Sequence, residues 1–194
     1  MDTTSIPAKE LKAFVKFLGK GTGRDISKHI MLVPSATGGA LLFATDGHAA
    51  IVREFVHLEW RDEPARAYHV DTIKRMRNQD TIILERGIGL SVIELNAFDQ
   101  THEGARPLPI NDDCNVPDIL TLMPKEHSHT QSAAFIGLAP NLVARVCTAL
   151  EGCINTPSGK SWGGRWVFPE ESNTPVYIEF CESVLAIIMP CHIS

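Results

Sequence analysis

Few polar side chains of this 194-residue chain have the types and spacing that catalysis requires. His127 and His129 could bind a metal ion, but Glu126 is the one carboxylate or thiol near them, and a zinc site needs more such ligands. Three other histidines stand without a nucleophile or an orienting acid beside them: His48, His57 and His69. Catalytic histidines need such partners. The sequence therefore predicts no catalytic residue, no metal site and no cofactor.

A Gly-Lys-Ser run and five cysteines are the other patterns that could carry chemistry. Gly159–Ser161 lacks the upstream glycine of a phosphate-binding loop. The cysteines are odd in number and show no Cys-x-x-Cys spacing: Cys114, Cys147, Cys153, Cys181 and Cys191. This pattern favours free thiols over a disulfide framework or a zinc site.

The basic side chains of the first predicted helix, Pro7–Leu18, form the most informative group. Leu11, Phe14, Val15 and Leu18 fall in one sector of the helix, as a core-facing stripe does. Four lysines line the opposite side and an arginine lies just beyond: Lys9, Lys12, Lys16, Lys20 and Arg24. Lysines commonly occupy a solvated helix face, but a line of them also fits a surface that contacts phosphates.

Two later predicted helices add to this basic set. The second contributes Lys74, Arg75 and Arg77, and the third contributes Arg145. The whole chain is acidic, with a net charge of −5, yet the local potential of one basic face matters more for DNA than the total charge. No helix-turn-helix, zinc finger or aromatic platform accompanies these residues, so any contact that they make with phosphates is predicted to be indifferent to base sequence.

The elements that must position these residues recur along the chain. Three helical patterns cover Pro7–Leu18, Val70–Asn78 and Ala139–Leu150. Alternating, β-branched runs follow them and predict strands: His29–Val33, Ala40–Ala44, Ala50–Leu58, Thr81–Leu84, Gly89–Leu95, Gly164–Phe168, Val176–Phe180 and Val184–Met189. Short runs before the later helices, Ala67–Val70 and Ala133–Leu138, could add strands. The predicted class is α+β, built from repeats of a strand, a helix and two or three antiparallel strands.

Glycine-containing turns separate several of these strands. Asp46-Gly47 stands between two apolar runs and is a strong hairpin signal. Gly38-Gly39 and the segment Glu85–Gly89 are further turn candidates. The proline-rich stretch from Asn96 to Gln131 is typical of an extended connector between structural units.

Three segments stand out together: Phe43–Ala49, Val116–Pro124 and Ala186–Ile193. They resemble segments of the bacterial β clamp, a DNA sliding clamp. Phe43–Ala49 (Phe-Ala-Thr-Asp-Gly-His-Ala) is similar to the hairpin of that family's middle domain. Val116–Pro124 is similar to the segment that leads from the middle domain into the last one, and Ala186–Ile193 to the extreme C-terminus. The three occur in the family's order. With the helices between them, they cover nearly the whole chain.

The resemblance implies a clamp fold of repeated βαβββ units, with antiparallel sheets outside and basic helices lining a hole around DNA. It also implies a hydrophobic pocket where peptides of DNA polymerases and of the clamp loader bind. By motif position that pocket would comprise Thr45, Gly47, His48, Ala49, Ala50, Pro117, Thr121, Leu122, Ile187 and Met189. Ala49, Ala50 and Thr121 depart from the family's pattern, which would make the pocket wider and less positive. The same segments could instead be an ordinary turn and a core strand.

Length sets this chain apart from that family. The resemblance divides it into a middle-type clamp domain (residues 1–122), a connector (123–132) and half of a last domain (133–194). A lone half domain would leave an unpaired sheet edge, which favours self-association. We therefore expect a ring-forming homo-oligomer, a tetramer or a dimer.

The leading functional hypothesis is a processivity factor that tethers a polymerase or another client to duplex DNA, from a phage or mobile element. The alternative is a clamp-like interaction module, or a regulator of a host clamp, that does not encircle DNA. No secretory signal and no run long enough to span a membrane are present in the sequence. Membrane partners are not expected, and the cytoplasm is the expected location.

Overall fold

A computed structural model of the chain describes residues 3–18, 25–94, 104–123, 138–153, 164–168, 174–181 and 183–190. Its strands are β1 Thr3–Pro7, β2 His29–Pro34, β3 Ala40–Thr45, β4 Ala49–Phe55, β5 Arg66–His69, β6 Thr81–Glu85, β7 Gly89–Ile93, β8 Arg106–Pro107, β9 Arg165–Val167, β10 Val176–Cys181 and β11 Val184–Ile188. Its α-helices are α1 Ala8–Leu18, α2 Val70–Lys74 and α3 Pro140–Cys153, and Asp25–Lys28 and Ile119–Leu122 form 3₁₀ turns. The α+β class is confirmed.

The strands form two antiparallel sheets. One has four strands in the order β1-β6-β7-β8, and the other has seven in the order β5-β2-β3-β4-β11-β10-β9. The junction between β4 and β11 joins distant parts of the chain, with Ala50 opposite Ile187 and Val52 opposite Leu185. Sheet and core therefore run without a break from the predicted first domain into the predicted half domain, whose boundaries stay a prediction.

Both faces of the seven-stranded sheet are covered. Along β3, Ala40, Leu42 and Ala44 face the main core, which also contains α1, α3 and the inner side of the four-stranded sheet. Leu41 and Phe43 face a smaller cluster on the other side. That cluster is closed by residues of the segment 104–123, the described part of the proline-rich stretch, and from here on the word connector means this segment alone. This period of two explains why β3 is apolar at nearly every position.

The predicted glycine turns are confirmed. Gly47 has a φ of 89° in the hairpin between β3 and β4, and Gly38 has a φ of 90° in the turn between β2 and β3. Gly87 and Gly89 also have positive φ values after β6. Residues with a Cβ rarely adopt these backbone conformations, which is why glycine suits these turns.

Several predicted boundaries were wrong. The second helix ends at Lys74 rather than Asn78, because Asp80 accepts the backbone N–H of Arg77 at 2.6 Å and holds a turn there. Strand β4 ends at Phe55 rather than Leu58, where the N–H of Leu58 turns back to the Phe55 carbonyl.

The first strand was missed altogether. Pro7 was expected in the first turn of a helix, but it is the last residue of β1 and lies opposite Thr81 of β6. The third helix begins at Pro140 and continues to Cys153. The predicted run Ala133–Leu138 lies outside the described residues except for Leu138.

Candidate functional sites

The hairpin between β3 and β4 is held by its own polar side chains. Thr45 donates its hydroxyl to the Ala49 carbonyl at 2.8 Å and accepts the Gly47 N–H at 3.1 Å. Asp46 accepts the N–H groups of His48 and Ala49 at 2.9 and 3.0 Å through one carboxylate oxygen. The C-terminal segment is tied to the hairpin because the Met189 N–H donates to the His48 carbonyl at 2.9 Å.

The second oxygen of Asp46 forms an ion pair with Arg145 of α3. The Asp46 side chain is 2% exposed and that of Arg145 is 31% exposed, and the guanidinium lies 5.2 Å from the ring centre of Phe17 on α1. Burial acts to raise the pKa of Asp46, but the two backbone N–H groups and Arg145 outweigh it and hold the pKa below its usual value. The ion pair between Asp46 and Arg145 thus holds the hairpin against α3.

In front of the hairpin lies a groove that encloses about 470 Å³, open solvent at its mouth included. We call it the hairpin groove. It is lined by residues of the hairpin and its strands, of the connector, of β11 and the residue after it, and of the first 3₁₀ turn: Ile26, Thr45, Gly47, His48, Ala49, Ala50, Pro117, Asp118, Ile119, Leu122, Ile187 and Met189. Apolar side chains with a few polar ones at the edge are typical of a site for a peptide.

The structure brings nearly all residues of the predicted pocket to this groove. Thr121 is the exception, because its hydroxyl donates to the Asp118 carbonyl at 2.9 Å and the side chain belongs to the 3₁₀ turn. Ile26, Asp118 and Ile119 line the groove but were not predicted. Ile119 and Asp118 lie between predicted positions and could have been included, whereas nothing in the sequence places Ile26 there.

The lysines of α1 occupy the one face of this helix that solvent reaches. Lys9 and Lys16 are exposed and Lys12 is partly exposed, while the other eight residues of α1 are buried. Lys12 donates to the Asn78 side chain at 3.0 Å. Even Glu10 is buried, and it forms an ion pair with Arg53 of β4.

The basic residues around α2 are exposed but differ in their surroundings. Lys74 pairs with Asp71 at 2.9 Å, and Arg77, which lies beyond the helix, is 3.9 Å from Glu94. Arg75 is the residue that caps the helix C-terminus. Lys20 and Arg24 lie outside the described residues.

Arg145 requires a correction. It was expected to face DNA, but its guanidinium is directed at Asp46 and its charge is matched there. The spacing within α3 could not have revealed this, since the partner is 99 residues away in sequence. We therefore remove Arg145 from the DNA-facing set.

The groove and the lysine face lie on opposite sides of the seven-stranded sheet. Ala50, Ile119 and Ile187 belong to the small outer cluster, whereas Phe14 of α1 and Val146 of α3 belong to the main core on the other side. A molecule bound to the lysines would leave the hairpin groove accessible.

Nearly the whole chain superposes on several solved structures. Over 100% of its length the chain superposes on 65% of DNA polymerase III subunit beta from Borrelia burgdorferi, with a TM-score of 0.58 and 13% identity. The DNA polymerase sliding clamp of Pseudomonas aeruginosa gives 99% and 66% coverage, a TM-score of 0.57 and 12% identity. The sliding clamp of Bacillus subtilis gives 99% and 64%, 0.56 and 13%.

The chain has a sliding-clamp fold. At these identities the similarity concerns the fold, and the chain spans about two thirds of the length of these clamps (64–66%). No protein-family model matches the sequence, and no curated protein matches it.

Within the clamp-like structure, none of the helices in the described residues is long and apolar enough to cross a membrane.

Proposed function

We propose that this clamp-like protein tethers a client protein to duplex DNA without sequence specificity. The observation that carries the proposal is the lysine face of α1. The helix is buried on every other side, so the sole positions it offers to a ligand are Lys9, Lys12 and Lys16. Lysines that contact phosphates bind by releasing counterions, and such binding weakens steeply as salt rises.

The hairpin groove is the proposed docking site for a client peptide. Its walls are apolar, its hairpin is held rigid by Thr45 and Asp46, and it lies on the sheet face away from the lysines. A short segment with spaced hydrophobic side chains, as in polymerases and clamp loaders, suits a groove of this kind. Binding of DNA and of a client would then be compatible.

The DNA proposal is tested by retention on nicked circular DNA. We expect the wild-type protein to remain on the circle and to be lost when the circle is linearised. The variant K9E/K12E/K16E should lose retention. Its salt dependence on any duplex should fall by about 2.7 in log–log slope, at about 0.9 for each lost phosphate contact.

A matched variant, K28E/R61E/R86E, makes the same change in net charge at exposed positions outside α1. It should keep its retention. If both variants bind as the wild type does, the lysines of α1 do not contact DNA and the proposal is wrong.

Leu122 and Leu120 offer a matched pair for the groove. Both are on the second 3₁₀ turn, with exposures of 38% and 37%, but only Leu122 lines the groove. Peptides selected by phage display on the wild-type protein should bind L122D at least about tenfold more weakly, a loss of 1.4 kcal/mol or more, and should bind L120D normally. Equal binding to both variants would place the peptide site elsewhere.

One observation favours the alternative, a clamp-like module that binds clients or a host clamp without encircling DNA. The chain spans 64–66% of the length of the clamps it resembles, so encirclement depends on assembly. This alternative predicts no preference for the circle over linear DNA, together with intact peptide binding.

A further inference from the structure

We propose that Asp25, His29 and Cys114 form a binding site for a zinc ion. Within the part of the chain that the structure describes, these residues each bring one ligand atom to a point where all three lie within 4.8 Å of one another. Asp25 opens the first 3₁₀ turn, His29 begins β2, and Cys114 comes from the connector. Cys114 is far from Asp25 and His29 in sequence, so no spacing motif indicates the group.

The orientation of His29 suits a metal ligand. The ring is 1% exposed, and its Nδ1 lies 3.0 Å from the Asp25 carbonyl oxygen. Because that oxygen can only accept, Nδ1 carries the proton and Nε2 keeps its lone pair. Metal-binding histidines are typically held in this way, with one nitrogen donating to a carbonyl and the other binding the ion.

In the structure, the Nε2 lone pair already has a hydrogen-bond partner. The Asn111 amide nitrogen lies 2.8 Å from it, and the Cys114 N–H donates to the Asn111 carbonyl at 3.4 Å. An ion at Nε2 would displace the amide nitrogen of Asn111, a partly exposed residue whose amide oxygen accepts the Asp113 N–H at 3.2 Å. Cys114 is itself 9% exposed, so its thiol is directed inward toward the same region.

The chemistry of the three donor groups favours zinc. A thiolate, an imidazole and a carboxylate are the ligands of zinc, and three protein ligands leave the fourth tetrahedral position to water. With Zn–S near 2.3 Å and Zn–N near 2.0 Å, adjacent ligand atoms would lie about 3.5 Å apart. Ligand atoms that lie up to 4.8 Å apart must therefore approach one another by up to about 1.3 Å. Asp25 is exposed and pairs with Lys28 at 3.8 Å, a contact that its carboxylate would exchange for the ion.

Charge balances on binding. The Cys114 thiol releases its proton to solvent and supplies a thiolate, and the Asp25 carboxylate supplies a second negative charge, so a divalent ion leaves the site neutral. No oxidation or reduction occurs. A cation without affinity for thiolates, such as Mg²⁺, would not replace the thiol proton.

The position of the site gives it a consequence for the hairpin groove. Ile26, next to Asp25, and Pro117, shortly after Cys114, both line that groove. An ion that joins the first 3₁₀ turn to the connector would fix two of its walls relative to each other. This consequence rests on the proposed function, whereas zinc binding itself does not.

Zinc titration of the full chain, stripped with a chelator and kept reduced, tests the site. One Zn²⁺ should bind per chain in competition with a chromophoric chelator. Co²⁺ in its place should show the charge-transfer absorption of a cobalt–thiolate bond. The variants C114S and D25N should each weaken binding at least tenfold, and C114S should abolish the charge-transfer band.

C147S and H57Q are the controls, since these residues lie outside the group, and both should bind as the wild type does. C114S is nearly isosteric and D25N changes an exposed residue, so the test does not depend on replacing the buried His29. Absence of stoichiometric zinc binding, or equal binding by C114S and C147S, would overturn the proposal. If the protein bound zinc but bound no peptide, the hairpin groove would be wrong as a docking site and the zinc site would stand.

Discussion

At the scale of single residues, Asp46 holds the hairpin that forms one wall of the hairpin groove. One oxygen holds the turn through the N–H groups of His48 and Ala49, and the other holds Arg145. A turn residue that accepts N–H groups two and three positions onward is expected of aspartate before glycine. Its second role, in fastening the turn to α3, is a long-range contact that no local pattern contains.

The pKa of Asp46 lies below its usual value, which makes the carboxylate a source of stability at neutral pH. A group whose pKa falls on folding stabilises the protein above its unfolded pKa, about 3.9 for aspartate, and this stability is lost as the pH falls through the folded pKa. We expect D46N to lower the free energy of unfolding at pH 7 by about 1–3 kcal/mol, as for a lost hydrogen bond to a charged group. The same variant should be less sensitive to acid below about pH 4 than the wild type.

Urea unfolding at a series of pH values measures both effects. D62N, which removes an exposed carboxylate, serves as the control and should unfold like the wild type at pH 7. Identical acid profiles for D46N and the wild type would show that the Asp46 carboxylate does not contribute to the pH dependence of stability.

The resemblance to the β clamp, rather than any residue pattern, suggested which segments would meet at the groove. The hairpin, connector and C-terminal segments meet because β11 pairs with β4 and its next residues continue beside His48. Thr121 was wrong as a lining residue because the 3₁₀ turn directs its side chain back to Asp118. Such a turn changes direction within a few residues, and motif position does not determine which side chains face inward.

At the scale of elements, the close approach of α1 and α3 shapes the main core. A Cβ added at Gly152 of α3 would lie 2.7 Å from the Ala13 Cβ of α1. Two small residues therefore face each other where these helices contact. This pairing explains why α1 is buried on more sides than its apolar stripe alone would predict.

Gly152→Ala should therefore destabilise the protein, although alanine is the better helix former by about 1 kcal/mol. The new methyl group must push the helices apart, and overpacking of a core costs about 1–3 kcal/mol. After the gain in helix propensity is subtracted, a loss of up to about 2 kcal/mol remains. We therefore expect the Tm to fall by up to about 8 °C, at about 2–4 °C for each kcal/mol in a domain of this size. Calorimetry measures the change.

The swapped pair A13G/G152A provides the control. It restores one small side chain at the contact, so its Tm should lie above the value expected from adding the two single changes. Simple additivity, or a stabilised G152A, would mean that the helices separate at no cost.

The elements themselves followed from periodicity where it extends over several residues. The strands β2, β3, β10 and β11 came within a residue or two of prediction, since alternation over five or six residues is a strong signal. The end of α2 and the strand β1 did not follow, because a carboxylate cap at Asp80 and pairing with β6 decide them. Those are tertiary contacts that override local preference.

At the scale of the whole molecule, charge is distributed unevenly despite the net charge of −5. Acidic side chains neutralise many arginines, as Asp46 does Arg145, Glu10 does Arg53 and Glu94 does Arg106. The exposed lysines of α1 keep a positive face by comparison. Composition could not have shown this, because it counts charges without their partners.

The open edges of the sheets bear on assembly. Among the described residues, the seven-stranded sheet ends at β9 and β5, and the four-stranded sheet ends at β1 and β8. Unpaired edges are sites where a second copy can add strands. Near β9 the stacked rings of Trp166 and Phe168, with Phe168 41% exposed, add an apolar surface.

We therefore expect the chain to form a homo-oligomer, a dimer or a tetramer, at micromolar concentration. Light scattering should give a mass that is two or four times the 21.3 kDa of one chain. F168D, which places a charge on the apolar surface at one edge, should reduce that mass, whereas I88D, at an exposed position in the turn after β6, should not. A monomeric wild type would contradict the expected ring of several copies, and any retention on circular DNA would then have to be explained without such a ring.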